Sequence, residues 1–476
     1  MGAKCRSYID LRAMHSEVSG SCFHLTIRLP DREIVQGVID CGVFQEKKYE
    51  KYNNDVLFNP KELDFVAITH NHIDHVGRVP FLVANGYNKG IYCTKDTKVL
   101  MKYALMDSLK TLGLKARKNN TKTLYTEKNV EETLELVTGV SFNTTVQVHE
   151  NVRLTFLANG HLPGAAMILL QVVYMDEIYE NVLFTGDYNS YNLFFNVNAI
   201  PKWIRGLPLT IVIESTYGAT MEKNDRDTKP VIFYKNIVMA MQSGKSAIIL
   251  AFALGRSQEV LYHLKLLQQM RWLDRKIPIS LDGKLAIEYT KLFKNGTINV
   301  KQSMRNFLPD NFRFVNQEKR QELLHSGYQK IIVTTSGMGT YGPAMTYIPY
   351  FIQQRRALIH FTGYCAEGTW GRKLKDALSD KFIMLGEDES GLLVMKKADV
   401  EYTTEFSAHS KANDLLKLLS KFNNIRGVIV NHGEKEKKII FAEKIYTKTG
   451  IKNIGIIDRE TMFRIGEYGI VKTISI

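Results

Sequence analysis

The sequence predicts an α/β protein in which a region of strand–helix alternation interrupts a domain that is richer in strands. In about the first 200 residues, short apolar runs bounded by turn residues predict β-strands with few helices. From about Tyr217, apolar runs alternate with helical patterns, which is the βαβ rhythm of a parallel sheet flanked by helices. From about Leu393 the strand pattern returns, and no repeat or proline-rich linker separates the regions. The middle region is therefore interpreted as an insertion.

In the first region, a helical period predicts a helix over residues 95–114, and the basic polar segment 115–122 is expected to be a solvated loop. Apolar runs of strand length end at turn residues throughout this region. The strands expected from them cover residues 34–41, 64–69, 152–157, 167–173 and 181–185.

In the inserted region, an amphipathic pattern predicts a helix over Arg256–Gln269. The strands expected here cover residues 246–253, 277–281, 330–334 and 356–362. After the return, a helix over 411–422 and a strand over 427–430 are expected. These patterns predict three segments: residues 1–214 and 386–476 as two parts of one domain, and residues 215–385 as the inserted domain.

Composition limits the class of protein. The 476 residues suffice for two or three domains, and the 45% hydrophobic content supplies a sizeable core. The formal charge of +14 favours a polyanionic partner, because a cationic surface gains free energy by releasing counterions from nucleic acid. The five cysteines lack C-x-x-C spacing and indicate reduced thiols. No apolar run is long enough to span a bilayer, so we expect a protein that makes no membrane contact and is cytoplasmic, or nuclear in a eukaryote.

A dense group of potential metal ligands follows the apolar run 65–69. His70, His72, Asp74 and His75 lie within six residues. Imidazole and carboxylate are ordinary zinc ligands. Side chains at a strand end point in different directions, so His70 and His72 can bind one ion while Asp74 and His75 bind its neighbour. The alternative is a solvated turn with incidental histidines. That alternative is disfavoured, because so many of the 12 histidines rarely crowd together without a ligand.

A two-metal site needs further ligands, and three polar residues stand where apolar strands end. They are His161, Asp187 and His432. Short loops after strands hold ligands rigidly, as a catalytic metal requires. Asp187 suits a bridging position, since one carboxylate can offer an oxygen atom to each ion. Asp40 ends another apolar strand and suits a position behind a ligand, which it would orient through a hydrogen bond.

Several motifs together resemble the metallo-β-lactamase fold, and within it the β-CASP subgroup. The ligand motif at 70–75, with His161 and Asp187 downstream, is similar to the metallo-β-lactamase signature. The segments that resemble motifs A, B and C of the β-CASP subgroup are 214–218, 406–409 and 432–434, and further similar segments are 252–259, 336–338 and 363–369. The likeness covers nearly the whole chain. It is greatest to the nuclease of the cleavage and polyadenylation specificity factor and to its archaeal and bacterial relatives.

This resemblance implies an αββα metallo-β-lactamase sandwich with an inserted β-CASP domain, a parallel sheet flanked by helices. It also implies two Zn²⁺ ions. The first would be held by His70, His72 and His161, and the second by Asp74, His75 and His432. Asp187 would bridge the ions. His409, supported by Glu214, would be the proton donor.

The same resemblance implies a zinc-dependent ribonuclease that hydrolyses phosphodiester bonds of single-stranded RNA in RNA processing or decay. Endonuclease action is favoured, and 5′ exonuclease action is the other mode. In this mechanism a hydroxide between two metals attacks the phosphorus atom, and His409 protonates the leaving oxygen. Asp74 and Glu214 complete the expected catalytic set. A histidine at motif C, here His432, is typical of RNA-cleaving members, whereas DNA-cleaving members tend to carry valine.

Three residues of the inserted region are predicted to contact the substrate. Ser336 and Gly337 begin a glycine-rich turn after a strand, where exposed backbone N–H groups can meet phosphates. Arg256 begins a helix after Ala253-Leu-Gly and is a second candidate for a phosphate contact. A tight turn without a ligand and a surface salt bridge are the alternatives for these two positions.

Other functions stay open at this stage. A metallo-β-lactamase-fold hydrolase could act on a small thioester, lactone or lactam, although such an enzyme would need neither the insertion nor the +14 charge. A non-catalytic RNA-binding scaffold is disfavoured because all seven expected ligands are present. A DNA nuclease is disfavoured by His432. A homodimer or an RNA-processing complex is the expected assembly.

Overall fold

Two β-sheets packed face to face form the part of the fold that carries the predicted metal ligands. The computed structural model describes residues 7–118, 120–197, 199–222, 230–386 and 391–475. Within these residues the first sheet has eight strands. In spatial order they are Gly469–Ser475, Thr461–Gly466, Tyr8–Ala13, Phe23–Arg28, Ile34–Ile39, Phe65–Ala67, Ile91–Thr94 and Val137–Val140.

The second sheet has seven strands in the described part of the chain. In spatial order they are Ile454–Ile456, Ile425–Asn431, Leu209–Glu214, Glu177–Phe184, Ala166–Tyr174, Val152–Ala158 and Thr145–His149. Apolar side chains from both sheets form the core between them, among them Leu25, Phe65, Phe156 and Phe184. This core includes residues from both ends of the chain, since strand Tyr8–Ala13 pairs with strand Thr461–Gly466.

Helices cover the outer faces of both sheets. The α-helices of this part of the structure are Ile73–Val76, Val79–Ala84, Lys95–Lys118, Glu127–Leu136, Lys202–Arg205, Ala412–Leu419 and Lys435–Thr449. Short 3₁₀-helices cover Glu50–Asn54 and Pro60–Glu62. One outer core joins the first sheet to helices of the segment 79–136, and the other joins the second sheet to helices of the segment 412–449. The αββα layering expected from the resemblance is therefore confirmed.

The chain divides into two units. The discontinuous unit comprises residues 1–224 and 408–476, and the inserted unit comprises residues 225–407. The sequence pattern predicts that the strand-rich domain resumes at residue 386, whereas residues 391–407 lie in the inserted unit. The reason is strand pairing. Strand Asp399–Tyr402 pairs with Ala357–Phe361, and Leu392–Met395 pairs with Phe382–Leu385. A local sequence pattern does not reveal which strand is the partner.

The inserted unit is built on a parallel sheet, as the strand–helix alternation predicts. Its six strands among the described residues are, in spatial order, Phe312–Val315, Ile279–Asp282, Ile331–Thr334, Ser246–Leu250, Ala357–Phe361 and Asp399–Tyr402. The α-helices of this unit are Val231–Gln242, Arg256–Gln269, Lys284–Asn295, Gln317–His325, Ala344–Phe351 and Trp370–Asp376, with a 3₁₀-helix at Gln302–Met304. The helix predicted over Arg256–Gln269 has these same bounds.

One segment that the sequence predicts to be a loop is partly helical in the structure. The first long helix does not end at residue 114 but continues to Lys118, through part of the basic segment expected to be a loop. Lys115, Arg117 and Lys118 lie in its last turn, where cations interact favourably with the partial negative charge of the helix end. No helix among the described residues has both the length and the apolar character needed to cross a bilayer.

Candidate metal centre

The candidate ligands lie at the carboxyl ends of neighbouring strands of the discontinuous unit. Strands Glu177–Phe184, Leu209–Glu214 and Ile425–Asn431 run parallel, so the residues that follow them meet at one edge. Asp187 follows the first of these strands and His432 the last. Strand Val152–Ala158 is separated from strand Glu177–Phe184 by one antiparallel strand, which brings the following residue, His161, to the same edge.

The loop after strand Phe65–Ala67 carries the remaining ligands. One short helical turn, Ile73–Val76, follows His72, and the His75 N–H donates to the His72 carbonyl at 2.9 Å. The turn places Asp74 and His75 side by side, whereas His70 and His72 precede it, and His72 has extended backbone. The loop therefore presents its two pairs of ligands in different directions.

The first group of donor atoms comes from His70, His72, His161 and Asp187, whose ligand atoms lie within 4.8 Å of one another. His72 Nδ1 lies 3.2 Å from His70 Nε2 and 3.0 Å from His161 Nε2. Asp187 Oδ2 lies 3.5 Å from Nε2 of both His70 and His161. Three nitrogen atoms and one oxygen atom thus surround one point.

The second group comes from Asp74, His75 and His432. The Nε2 atoms of His75 and His432 are 3.2 Å apart. Asp74 Oδ2 lies 3.9 Å from the first and 3.8 Å from the second. Asp187 Oδ1, the oxygen that does not face the first group, lies 3.4 Å from His75 Nε2 and 3.3 Å from His432 Nε2. The Asp187 carboxylate therefore has one oxygen atom in each group.

This arrangement fits bound metal ions. Ligand atoms about 2.0–2.1 Å from a tetrahedral zinc ion lie about 3.3–3.4 Å from one another, and the nitrogen pairs and most of the oxygen contacts described above are close to this value. Imidazole nitrogens that converge at these distances can bind one cation together. Asp187 Oδ1 is buried and accepts no hydrogen bond from the described residues, and a cation bound there would satisfy this oxygen atom by coordination.

Several residues orient the ligand rings from behind. Asp40 Oδ2 lies 2.8 Å from His75 Nδ1 and accepts a hydrogen bond from Thr69 Oγ1 at 2.8 Å. Such carboxylate–imidazole pairs fix the ring and its tautomer. Asp40 and His432 both have positive φ angles, 59° and 46°. Non-glycine residues with this backbone conformation occur disproportionately at functional sites.

Three orienting groups have no signal in the sequence pattern. Thr69 Oγ1 lies 3.0 Å from His70 Nδ1, and Thr216 Oγ1 lies 3.0 Å from His432 Nδ1. The backbone carbonyl of Ala408 lies 2.8 Å from His161 Nδ1. Threonine and a backbone oxygen are too common for spacing to single them out. Only the folded positions show that all three contact the Nδ1 atom of a ligand.

Burial and charge set the protonation of the cluster. Burial holds the pKa of His70 and of His161 well below its ordinary value and lowers that of His72 to about 4. Burial raises the pKa of Asp187, but the charges of His432 and His75 outweigh it and hold that pKa well below the usual range. Neutral imidazole and ionised carboxylate are the forms that bind cations.

His75 is the exception among the ligands. Burial lowers its pKa, but the negative charges of Asp187 and Asp40 outweigh burial and raise the pKa well above the ordinary value. A cation at this position would replace the proton on Nε2, because an imidazole binds a metal only through an unprotonated nitrogen. We therefore expect metal binding to release protons.

His409 stands beside the cluster and is paired with Glu214. Its Nδ1 lies 3.1 and 3.0 Å from the two carboxylate oxygens of Glu214, and its Nε2 lies 3.9 Å from Asp187 Oδ2. Burial lowers the pKa of His409, but the charges of Glu214 and Asp187 outweigh burial and raise it to about 9. The side chain is 19% exposed, compared with 2% for Asp187. Solvent can therefore reach His409, and its raised pKa favours the protonated imidazole.

The three predicted substrate contacts lie in the inserted unit. Arg256 is buried, donates from Nη1 to the Thr362 carbonyl and has its Nε 3.8 Å from Glu259 Oε2, so it forms a salt bridge, as its alternative proposed, but a largely buried one. Ser336 Oγ accepts hydrogen bonds from the N–H groups of Thr340 and Tyr341 and closes its own loop. A Cβ atom at Gly337 would lie 3.1 Å from Phe252. That these residues contact a substrate stays a prediction.

Three family models match the chain. The metallo-beta-lactamase superfamily matches residues 37–209, the Beta-Casp domain matches residues 257–374, and the Zn-dependent metallo-hydrolase RNA specificity domain matches residues 394–454. The last match crosses residues 407 and 408, where the inserted unit ends and the discontinuous unit resumes. The matches agree with the order of motifs in the sequence.

Curated relatives resemble the chain over most of its length. The transcription termination factor FttA of Methanosarcina mazei is 29% identical over 94% of this chain and 70% of its own length. An RNase J-like protein of Methanocaldococcus jannaschii is 28% identical over 90% of this chain and 94% of its own. The Integrator complex subunit 11 homolog of Dictyostelium discoideum is 29% identical over 91% of this chain and 58% of its own.

Proposed function

We propose that this chain, which belongs to the Beta-Casp group of the metallo-beta-lactamase superfamily, is a ribonuclease that hydrolyses phosphodiester bonds of single-stranded RNA. The observation that carries the proposal is one site in which two groups of metal ligands share Asp187 while His409, whose Nδ1 lies 3.0 Å from Glu214 Oε2, stands beside them. Hydrolysis of a phosphodiester needs an activated water and a proton for the leaving oxygen. The site offers groups suited to both.

The ligand chemistry fits two Zn²⁺ ions, with His70, His72 and His161 around one and Asp74, His75 and His432 around the other. When bound, a metal pair supplies Lewis acidity and lowers the pKa of water that it coordinates. Asp187 would contribute one oxygen atom to each ion. The number and identity of the ions are part of the proposal.

His409 is proposed as the general acid. Its Nε2 carries a proton at neutral pH because Glu214 accepts the hydrogen bond from Nδ1–H and stabilises the imidazolium. That Nε2 faces the Asp187 side of the cluster, where the scissile phosphate would lie, and can pass its proton to the departing oxygen. Glu214 in turn accepts a hydrogen bond from the Tyr188 N–H at 2.5 Å, which fixes the orientation of the carboxylate.

Asp74 is proposed to act on the attacking water. Its side chain is 16% exposed, whereas that of Asp187 is 2% exposed, so Asp74 is the more accessible carboxylate of the second group. Interactions with His432 and His75 outweigh burial and lower the pKa of Asp74 to about 2. The ionised carboxylate can therefore accept a hydrogen bond from water and orient it for attack.

RNA as the substrate is supported by the family matches and the charge. The match at 394–454 is to an RNA specificity domain, and one relative is an RNase J-like protein. The formal charge of +14 favours a polyanion. Relatives named as transcription termination factors support a role of the proposed cleavage in RNA processing or termination, and RNA decay stays a prediction. Endonuclease action, a homodimer or RNA-processing complex, and a cytoplasmic or nuclear location stay predictions.

The test is cleavage of single-stranded RNA labelled at one end, with and without a chelator. We expect internal fragments that disappear with chelator and return when Zn²⁺ is restored; released mononucleotides would instead indicate 5′ exonuclease action. His409→Ala should abolish most cleavage, and His325→Ala, in an exposed position of helix Gln317–His325, is the matched control. Absence of chelator-sensitive cleavage for several RNA sequences would refute the proposal.

A further inference from the structure

The inserted sheet contains a topological switch point. Strands Ser246–Leu250 and Ile331–Thr334 are neighbours. After Leu250 the chain crosses to strand Ile279–Asp282 on one side of this pair, and after Thr334 it crosses to strand Ala357–Phe361 on the other side. In open parallel sheets, the crevice outside the carboxyl ends of two such strands is the usual position of a ligand.

The two connections also leave the sheet toward opposite faces. Helix Ala344–Phe351 follows the second strand and packs in one core with Ile248 and Ile332. Helix Arg256–Gln269 follows the first strand, and none of its buried residues, among those described, belongs to that core. The chain therefore continues from the loops 251–255 and 335–343 onto opposite faces of the sheet, and the two loops adjoin at its carboxyl edge, where a Cβ atom at Gly337 would lie 3.1 Å from the Phe252 backbone nitrogen.

Phe252 occupies this position. A Cβ atom at Gly337 would lie 3.1 Å from its ring, and one at Gly363 would lie 3.5 Å from it. The ring thus contacts two glycine backbones, one from each neighbouring loop. Despite these contacts Phe252 is 39% exposed, so part of its side chain is accessible to a ligand.

Two further exposed aromatic residues belong to the same loops. Tyr341 is 55% exposed in the loop that contains Gly337, and Tyr364 is 53% exposed directly after Gly363. None of the three rings stacks on another ring or on a cation within the described residues. The exposed Lys284 follows the next strand of the sheet, Ile279–Asp282, at the same edge. Three aromatic rings and a cation therefore share one edge of the sheet.

We propose that Phe252, Tyr341 and Tyr364 form a stacking surface for the bases of single-stranded RNA. The inference rests on the proposed function and adds a binding site to it. Every base has an apolar π face, so aromatic stacking holds single strands with little dependence on sequence. Lys284 supplies a charge for the adjacent phosphate. A protein partner is the competing occupant, and the experiment separates the two.

The experiment measures binding of a fluorescent single-stranded RNA oligonucleotide to the full, metal-loaded chain by anisotropy, and every protein compared, including the one with all three aromatic residues intact, carries His409→Ala to slow cleavage. Phe252→Leu, Tyr341→Ala and Tyr364→Ala should each weaken binding between about fivefold and about a hundredfold, the range of one lost base–aromatic stack. The matched control is Tyr328→Ala. Tyr328 is 43% exposed but lies before strand Ile331–Thr334, at the amino edge of the same sheet, and its loss should leave affinity unchanged.

A second probe distinguishes stacking from a loss of folding. An oligonucleotide with abasic positions keeps its phosphates but offers no base. Wild-type protein should prefer the intact RNA, and the three variants should lose that preference while binding the abasic strand as wild type does. Equal weakening for both strands, or unchanged affinity for the intact strand, would overturn the inference. So would altered self-association with RNA affinity retained, which would identify a protein contact.

Failure of the inference and failure of the proposed function give different results. If wild-type protein cleaves RNA but the variants keep both their affinity and their KM, the stacking surface is refuted and the nuclease stands. If wild-type protein neither binds nor cleaves single-stranded RNA, both are refuted. The predicted effect is on KM and affinity, with kcat little changed, because these residues contact substrate away from the reacting atoms.

Discussion

Asp187 shows at the residue scale how one side chain links the two groups of ligands. Oδ2 faces His70 and His161, and Oδ1 faces His75 and His432. Each oxygen therefore has imidazole neighbours from two different segments of the chain. Replacing this side chain removes a donor from both groups at once, whereas replacing any single histidine removes a donor from one.

His409→Ala tests the division between metal ligand and proton donor. His409 lies 3.9 Å from Asp187 and forms a third group of potential ligands with Asp187 and Glu214, but it belongs to neither of the two groups that contain the seven candidate ligands. We expect kcat to fall by roughly 10²–10⁴-fold, the usual contribution of general acid–base catalysis. Metal content measured by elemental analysis should equal that of wild type. Asp187→Ala, by comparison, should lose both activity and metal, and loss of metal in His409→Ala would contradict the assignment.

Asp40→Asn tests the orienting role of the carboxylate behind His75. An amide cannot stabilise a charge on the ring as a carboxylate does, although it is nearly the same size as Asp40. We expect metal affinity to fall by roughly 10–100-fold, the usual effect of losing such a partner. Titration with zinc should then restore much of the activity at high metal concentration. Unchanged zinc affinity would show that Asp40 is not needed to orient the ligand.

At the scale of elements, backbone hydrogen bonds hold the loop that carries the ligands of residues 70–75. Gly42 N–H donates to the Ser21 carbonyl, and the Ser21 N–H donates to the Asp74 carbonyl. Val43 N–H donates to the Ile73 carbonyl at 2.9 Å. The segment after strand Ile34–Ile39 therefore fixes the short helix Ile73–Val76 that carries Asp74 and His75. A glycine permits this close approach.

Gly42→Ala should disturb the centre without touching a ligand. A Cβ atom at this position would overlap the carbonyl group of Asp74. Because backbone rather than a flexible side chain would have to move, we expect the loop to shift and zinc content to fall, as measured by elemental analysis. Retention of full zinc content and activity would show that the loop can adapt.

Gly113→Ala is the matched glycine control, and we expect it to stabilise the protein rather than disturb it. Gly113 lies within helix Lys95–Lys118, and an added Cβ atom would meet nothing within 4 Å. Alanine reduces the entropy of the unfolded chain and favours the helix, so the free energy of unfolding should rise by about 0.5–1 kcal/mol. Urea unfolding followed by circular dichroism measures the change, and a decrease in stability would contradict this account of the helix.

At the scale of the whole molecule, the seven candidate ligands come from four separated segments but from only one unit. The segments are 70–75, 161, 187 and 432, and all lie in the discontinuous unit. An ion bound by Asp74, His75 and His432 would therefore connect the first segment of the discontinuous unit, residues 1–224, to its second segment, residues 408–476. The inserted unit has its own sheet and core and contributes none of these ligands.

Chelation should therefore destabilise one unit and not the other. A ligand whose free concentration is 100 times its dissociation constant stabilises the folded state by about 2.7 kcal/mol. In calorimetry we expect two transitions, of which only that of the discontinuous unit moves to lower temperature when zinc is removed. The Asp187→Ala variant should lack this response to chelator. Equal shifts of both transitions would show that the two units unfold together.

The local sequence pattern determined a large part of the fold. Apolar runs of strand length predicted both the strand-rich region and the parallel sheet of the insertion, because burial imposes a period on each element. The pattern placed the end of the insertion too early. Strand Asp399–Tyr402 belongs to the inserted unit because it pairs with Ala357–Phe361. The local sequence of either strand does not indicate which distant strand is its partner.

What the sequence by itself determined about the site is the chemical type and the candidate ligands. The group at 70–75 is dense enough to be recognised, and the family motifs name His409 and Glu214. Only the tertiary structure decided which oxygen of Asp187 faces which group. It alone showed that Thr69, Thr216 and the Ala408 carbonyl stand behind the ligand rings. The physical reason is that chemistry is a property of each side chain, whereas a coordination geometry arises only when strands distant in sequence end at one edge.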